Sequence, residues 1–193
     1  MPPAVYALRR VMFGWEDTPG TPVAASALFI GNATIEPDIN REQEGYPRGY
    51  RADEIDEDVT TWRGCTARFE TTLNYEEILY ALQTGILLDA APTGGDTDPY
   101  TWSFPASLAA VPSLASLTCE AVYTDGSGVH HEVQISGMRT QEIVIEFQGQ
   151  QRAILRWTMF GRPAVSSFTE TTGLTAVTGR KPIPALLASV AIN

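Results

Sequence analysis

Apolar and polar residues alternate in one short segment after another of this chain, and a period of two constrains it to antiparallel sheet. Cys65, Ala67, Phe69 and Thr71 interleave with Thr66, Arg68, Glu70 and Thr72, which gives one face to a core and the other to solvent. Leu117–Tyr123 sets Cys119, Ala121 and Tyr123 against Thr118, Glu120 and Val122. Asp125-Gly126-Ser127-Gly128 is a hairpin signal. The return strand places Val129, His131, Val133 and Ile135 on one face and His130, Glu132 and Gln134 on the other. Ile143, Ile145 and Phe147, then Ala153, Leu155, Trp157 and Met159, flank a turn at Gly149-Gln150-Gln151. Tyr100, Trp102 and Phe104 form an aromatic strand after a Gly/Pro/Asp/Thr-rich loop over 91–99. An apolar strand begins at Ala27 and turns at Gly31-Asn32.

One segment has a different period. Tyr75, Ile78, Leu79, Leu82 and Ile86 share one helical face, so the spacing predicts a helix over about 75–88. Asn74 is its N-cap and Glu77 completes a variant capping box. The sum is a mainly β fold: an antiparallel β-sandwich or partly open barrel with one flanking α-helix, a long loop and extended terminal arms. The chain reads as one domain over 1–193, with an N-terminal arm at 1–26, a body at 27–161 and a C-terminal arm at 162–193. The last of these has scattered Gly and Pro and few alternations, the pattern of an arm that a neighbour must order.

Charge narrows the function. The chain has 23 acidic against 13 basic residues, a net charge of −10, and Lys181 is its one lysine. Duplex DNA is bound by displacing its counterions with Lys and Arg, and this balance excludes a duplex binder. Nine acids fall between Glu36 and Asp58 with three arginines among them; Asp38, Arg41, Glu42, Glu44, Arg48, Arg51, Asp53 and Glu54 carry much of that charge. Pro37, Gly45, Pro47 and Gly49 lie in the same stretch, which reads as a long exposed loop or a solvated hairpin. Connections of that length tend to be functional or disordered. No apolar run reaches the length of a membrane-spanning helix, and the first residues lack a signal-peptide pattern. Cys65 and Cys119 sit within alternating strands, so they are expected as buried thiols in a reducing cytoplasm.

A catalytic set is missing from this inventory. His130 and His131 are neighbours on a strand and face opposite ways, so they cannot share a metal. There is no zinc-ligand spacing and no glycine-rich phosphate loop. No catalytic, cofactor or metal site is expected, and the chain reads as a non-enzyme. Long arms, a charged loop and open strand edges suit a protein that assembles with copies of itself.

The order of several segments resembles the major tail tube proteins of long-tailed bacteriophages. Thr34-Ile35-Glu36-Pro37-Asp38-Ile39-Asn40-Arg41-Glu42 leads to a charged loop with Arg48-Gly49-Tyr50, and a strand with Trp62-Arg63-Gly64-Cys65 follows. Phe69-Glu70-Thr71-Thr72-Leu73-Asn74-Tyr75-Glu76-Glu77-Ile78 then enters the single helix. Tyr100–Phe104, Leu117–Tyr123 and Val133–Met138 complete the order. The likeness covers roughly 27–160. It implies hexameric rings, stacked into a hollow virion tail tube through which the genome travels, and assembly in the bacterial host cytoplasm. It also implies contacts with further copies, with tape-measure, tail-tip and terminator proteins, and with DNA that passes without specific binding; no membrane and no cofactor are implied. The stretch 37–58 would touch the next ring. The polar strand faces, with Thr118, Glu120, Glu132, Gln134, Glu142 and Glu146, would present acidic side chains to the lumen, Glu132, Gln134, Glu142 and Glu146 being the candidate lining.

Two other readings stand beside it. The chain could be another virion part on a related fold, such as a tail terminator or decoration protein. It could also be a carbohydrate-binding module with Trp62, Trp102 or Trp157 as the sugar platform.

Overall fold

The computed structural model describes residues 10–46, 54–86, 92–95, 98–104, 114–124, 129–147, 151–175 and 182–183; the side chains of 40–62, 95, 98, 99, 124 and 130 lie outside that description. The elements are β1 (Arg10–Trp15), β2 (Ala27–Phe29), β3 (Asn32–Tyr46), β4 (Glu54–Thr72), α1 (Glu77–Gly85), β5 (Thr93–Gly95), β6 (Asp98–Thr101), β7 (Leu117–Thr124), β8 (His130–Glu146) and β9 (Ile154–Gly161). Seven strands join antiparallel in the order β2-β1-β7-β8-β9-β4-β3, while β5 and β6 pair separately. The mainly β antiparallel architecture with one helix is thus the one the alternation demands.

The long strand β8 belongs to two sheets. His130–Met138 pairs with β7, and Arg139–Glu146 pairs with β9. A first sheet (β2-β1-β7-β8) therefore turns into a second (β8-β9-β4-β3). The turn sits at Gly137, whose φ of +66° is one that L side chains rarely adopt. Glu16 holds it there. One carboxylate oxygen accepts the Gly137 N–H at 2.8 Å and the Thr118 hydroxyl at 2.9 Å. The other accepts the Gly20 N–H and the Ser116 hydroxyl, each at 2.6 Å. The chain changes sheets again between β2 and β3, at Gly31, where a Cβ would run into the Glu70 carbonyl.

The inner faces meet through aromatic rings. Phe13 of β1 lies edge-on to Phe69 of β4 with centroids 5.3 Å apart, and Phe29 of β2 lies edge-on to Trp157 of β9 at 5.5 Å. Phe69 and Trp157 stack at 5.0 Å, geometries favoured by the ring quadrupole. Cys65, Ala67, Cys119, Ala121, Ile135, Leu155 and Met159 complete the buried layer, all on inward positions of the predicted alternation. Trp157 is buried in this core, which removes it as a sugar platform.

Four expectations need correction. First, β1 lies inside the expected N-terminal arm, yet it is an interior strand between β2 and β7. Val11 and Phe13 face the core, while Met12 is buried on the other side with Ala25, Val122 and Leu174. A strand buried on both faces shows no alternation to read.

Second, residues 162–175 find partners within their own chain. Thr171 donates its N–H to Glu120 at 2.9 Å and its hydroxyl at 3.1 Å, and the Ala25 N–H reaches the same carboxylate at 3.3 Å. Arg10 pairs with Glu170. Val165 exchanges two backbone bonds with Gln134, at 2.8 and 2.9 Å. Further on, the Ile183 N–H donates to the Leu73 carbonyl at 2.8 Å. Thr118 and Glu120, read as part of a polar outer face, are consequently buried.

Third, the helix is shorter and rotated. Its buried residues are Glu77, Ala81 and Thr84; Ile78 and Tyr80 pack against the core, Leu79 and Leu82 are half-buried, and Tyr75 is exposed. The Thr84 hydroxyl lies 2.7 Å from that of Thr140 on β8, an approach that needs small side chains on the contact face. The N-cap is Glu76 rather than the expected Asn74, though the Asn74 side chain, just ahead of the helix, accepts the N–H groups of Glu76 at 3.1 Å and Glu77 at 2.8 Å. The expected residues 87–88 lie outside the described range.

Fourth, of the two readings of 37–58, long loop or hairpin, the structure forms the hairpin pairing. β3 runs to Tyr46 and β4 starts at Glu54. The expected 91–99 loop likewise contains β5 and part of β6, with Tyr100 exposed on β6.

Candidate functional site

Two features stand out from this frame: a projecting ribbon and an uncovered sheet face. The last β4–β9 pair is Cys65 with Gly161. Beyond it β3 and β4 continue to pair with each other, from Asp38 opposite Gly64 to Tyr46 opposite Glu54. At about 3.3 Å per residue this two-stranded ribbon extends roughly 30 Å past the sheet. Register breaks after Asn40 and Glu44 mark bulges, which bend and twist a strand pair.

The ribbon gathers most of the candidate ring-contact residues. Asp38 is exposed at its base. Arg41 stands opposite Thr60, Glu42 opposite Val59, Glu44 opposite Glu57 and Glu54 opposite Tyr46. Arg48, Arg51 and Asp53 lie outside the described residues. Ile39, half exposed, continues the inner face beyond the core.

The four candidate lining residues do not share one face. Glu132 and Gln134 lie on the first sheet, opposite Val122 and Glu120 of β7, and Gln134 has Val165 bonded alongside. Glu142 and Glu146 lie on the second sheet, opposite Thr158 and Ile154 of β9. Glu142 borders an open surface on the second sheet. There the outer positions of β3, β4, β9 and β8 form a shallow depression of about 490 Å³, lined by Asn32, Thr34, Arg68, Glu70, Glu142 and Arg156 among others.

Two arginines line that depression, and both are engaged. The Arg156 Nε donates to Glu70 at 2.5 Å, and one terminal nitrogen donates to Glu146. Arg68 donates to Glu36 at 2.7 Å. The Glu70 hydrogen bond leads in raising the Arg156 pKa further above its ordinary value. Sequence reasoning had placed Arg68 and Glu70 on the polar side of β4, but the cross-strand partners were not legible. Pairing of β4 with β9 brings together residues far apart in the chain.

Among the described residues, no group of three or more His, Cys, Asp or Glu could hold a metal ion. His131 stacks on Tyr123 with ring centroids 4.8 Å apart. Both cysteines are free and buried. Burial pushes the Cys65 thiol up, and burial first, with Glu120 nearby, pushes Cys119 up to about 12. Thiols shifted in that direction stay protonated and are poor nucleophiles. Among the described residues, no helix is long and apolar enough to cross a membrane.

No family model matches the sequence, and no curated protein matches it significantly. Among solved structures, the chain is similar to the cap that terminates the tube of the anti-feeding prophage, determined by cryo-EM. The TM-score is 0.41 at 10% identity, over 86% of this chain and 90% of that one.

Proposed function

We propose that this chain is a structural, non-catalytic component of a bacteriophage tail, whose copies form stacked rings that build a tube for DNA delivery. The observation that carries the reading is the ribbon of β3 and β4. A two-stranded hairpin standing alone in water is marginal at best, so a ribbon of this length is suited to lie on another surface. Its heavy charge excludes an apolar core as that surface and favours the polar rim of a further copy.

Two sheet margins supply a second kind of contact. The second sheet has β3 at one end and the Arg139–Glu146 part of β8 at the other. Strand margins are templates for pairing with another chain. Joining β3 of one copy to β8 of the next would repeat head to tail and close a ring. The uncovered polar face of that sheet would then line the lumen, with Glu142 and Glu146 on it, and the ribbon would reach the adjacent ring. The sequence likeness to tail tube proteins supports the same arrangement, including the virion tail as the location.

Electron microscopy of the purified protein at high concentration tests this directly. Rings or stacked tubes are expected. A monodisperse monomer that persists after incubation with a tail-tip nucleus would overturn it.

A further inference from the structure

Two arginines, Arg68 and Arg156, line the depression on the outer face of the second sheet. Arg68 and Arg156 are diagonal neighbours on β4 and β9, since Arg68 stands opposite Thr158 and Arg156 opposite Glu70. Sheet geometry places such neighbours about 7–8 Å apart. Arginines whose backbones are that close on an open face carry planar forks of donors that suit phosphate oxygens. Yet each already donates to carboxylates of flanking strands: Arg68 to Glu36 of β3, Arg156 to Glu70 of β4 and to Glu146 of β8.

We propose that Glu36, Glu70 and Glu146 mask a latent polyanion-binding pair, so that the depression keeps Arg68 and Arg156 without offering them to nucleic acid. The arginines span strands: Arg156 ties β4 and β8 to β9 between them, and Arg68 ties β3 to β4. The glutamates are the other half of those links, and their charge cancels that of the guanidinium groups toward a passing phosphate backbone. Glu142, exposed on the same face, accepts from no arginine among the described residues. It adds negative charge without masking anything. This inference deepens the tube reading and rests on it only for the identity of the polyanion, duplex DNA; the masking itself is a property of the free chain.

The test measures binding of a short fluorescent DNA duplex to the full-length protein by anisotropy, over a series of salt concentrations. Wild type is expected to show no binding at low salt. The Glu70→Gln/Glu146→Gln double variant removes both charges that hold Arg156 and should bind measurably, with log K falling by about 0.9 per log unit of salt for each phosphate engaged. Glu142→Gln changes the net charge of the same face by one without freeing an arginine, and should remain unbound. Adding Arg156→Gln to the double variant should abolish the gain. If the double variant does not fold, Glu36→Gln, which frees Arg68 at an exposed pair, reads the same effect.

Binding by wild type, no gain on removing the masks, or an equal gain from Glu142→Gln would each overturn the proposal. A gain that Arg156→Gln removes supports it. Because the assay uses free chains, its failure leaves ring and tube formation to be judged by microscopy alone, and failure of microscopy leaves the masking result standing.

Discussion

Glu16 accepts the backbone N–H of Gly137 at 2.8 Å across 121 positions of sequence. That bond fixes the point where β8 leaves one sheet for the other, and the same carboxylate also ties down Gly20, Ser116 and Thr118. Burial pushes the Glu16 carboxyl up, but the four hydrogen bonds together outweigh it and leave the pKa below its ordinary value.

A lowered folded-state pKa has a definite consequence for stability. The ionised group is favoured in the folded protein, so its contribution is fully present above the ordinary value of 4.5. It is lost as pH falls through the lower, folded-state value. Glu16→Gln removes one acceptor's charge and is expected to cost about 1–3 kcal/mol at neutral pH. Melting curves at pH 7 and across the acid range check both statements: the variant should melt lower at neutral pH, and the gap should narrow in acid. Equal melting temperatures at pH 7 would mean the four bonds contribute nothing net.

The helix makes a contrasting prediction. Leu82 is half-buried while Ala81 is fully buried against the body. Leu82→Ala should therefore cost less than the ~2–5 kcal/mol of a fully buried leucine. Ala81→Leu forces three extra carbons into the core cluster and should cost about 1–3 kcal/mol. Denaturant titration of the two variants gives the order; a larger loss from Leu82→Ala would restore the face that the spacing alone suggested.

Removing residues 43–55 tests the ribbon. The core layer lies in the two sheets below it, so the shortened chain should fold with a nearly unchanged melting temperature. It should also fail to polymerise. Exposed charge pairs are worth only about 0.2–1 kcal/mol each, so stacking through this ribbon depends on many of them acting together. Tubes of normal length from the shortened chain would remove the ribbon from the stacking contact.

Much of the body was legible because its strands bury one face and wet the other. Cys65, Ala67 and Phe69 on β4, or Leu155, Trp157 and Met159 on β9, announce an inner layer by spacing alone. What could not be read has a common cause in long-range covering. Glu120 looks like an outward side chain until Thr171 and Ala25 are seen to meet it. Met12 hides β1 because Leu174 packs on its far side. The helix face was misread because close approach to Thr140 selects small residues, whereas the bulky Leu79 and Leu82 supplied the periodic signal. At the candidate site, the acidity of Glu142 and Glu146 could be read, but not the division of Glu132 and Gln134 onto another sheet. That division depends on the turn at Gly137.

The same division sharpens a test of the lumen. Glu142 is exposed on the uncovered face of the second sheet, and Glu132 is half-buried on the first. If the second sheet lines a tube, Glu142→Lys places one new cation per subunit in the wall, repeated around every ring. Each lysine that meets a phosphate releases counterions, so the retardation should be strongest at low salt and fade as salt rises. Glu132→Lys makes the same change of charge on the first sheet and should leave delivery unaltered. Assembled particles carrying each variant, followed by the rate of genome release over a range of ionic strength, distinguish the two. Slowing by Glu132→Lys with none from Glu142→Lys would assign the lumen to the first sheet. Slowing by neither would separate wall charge from transit altogether.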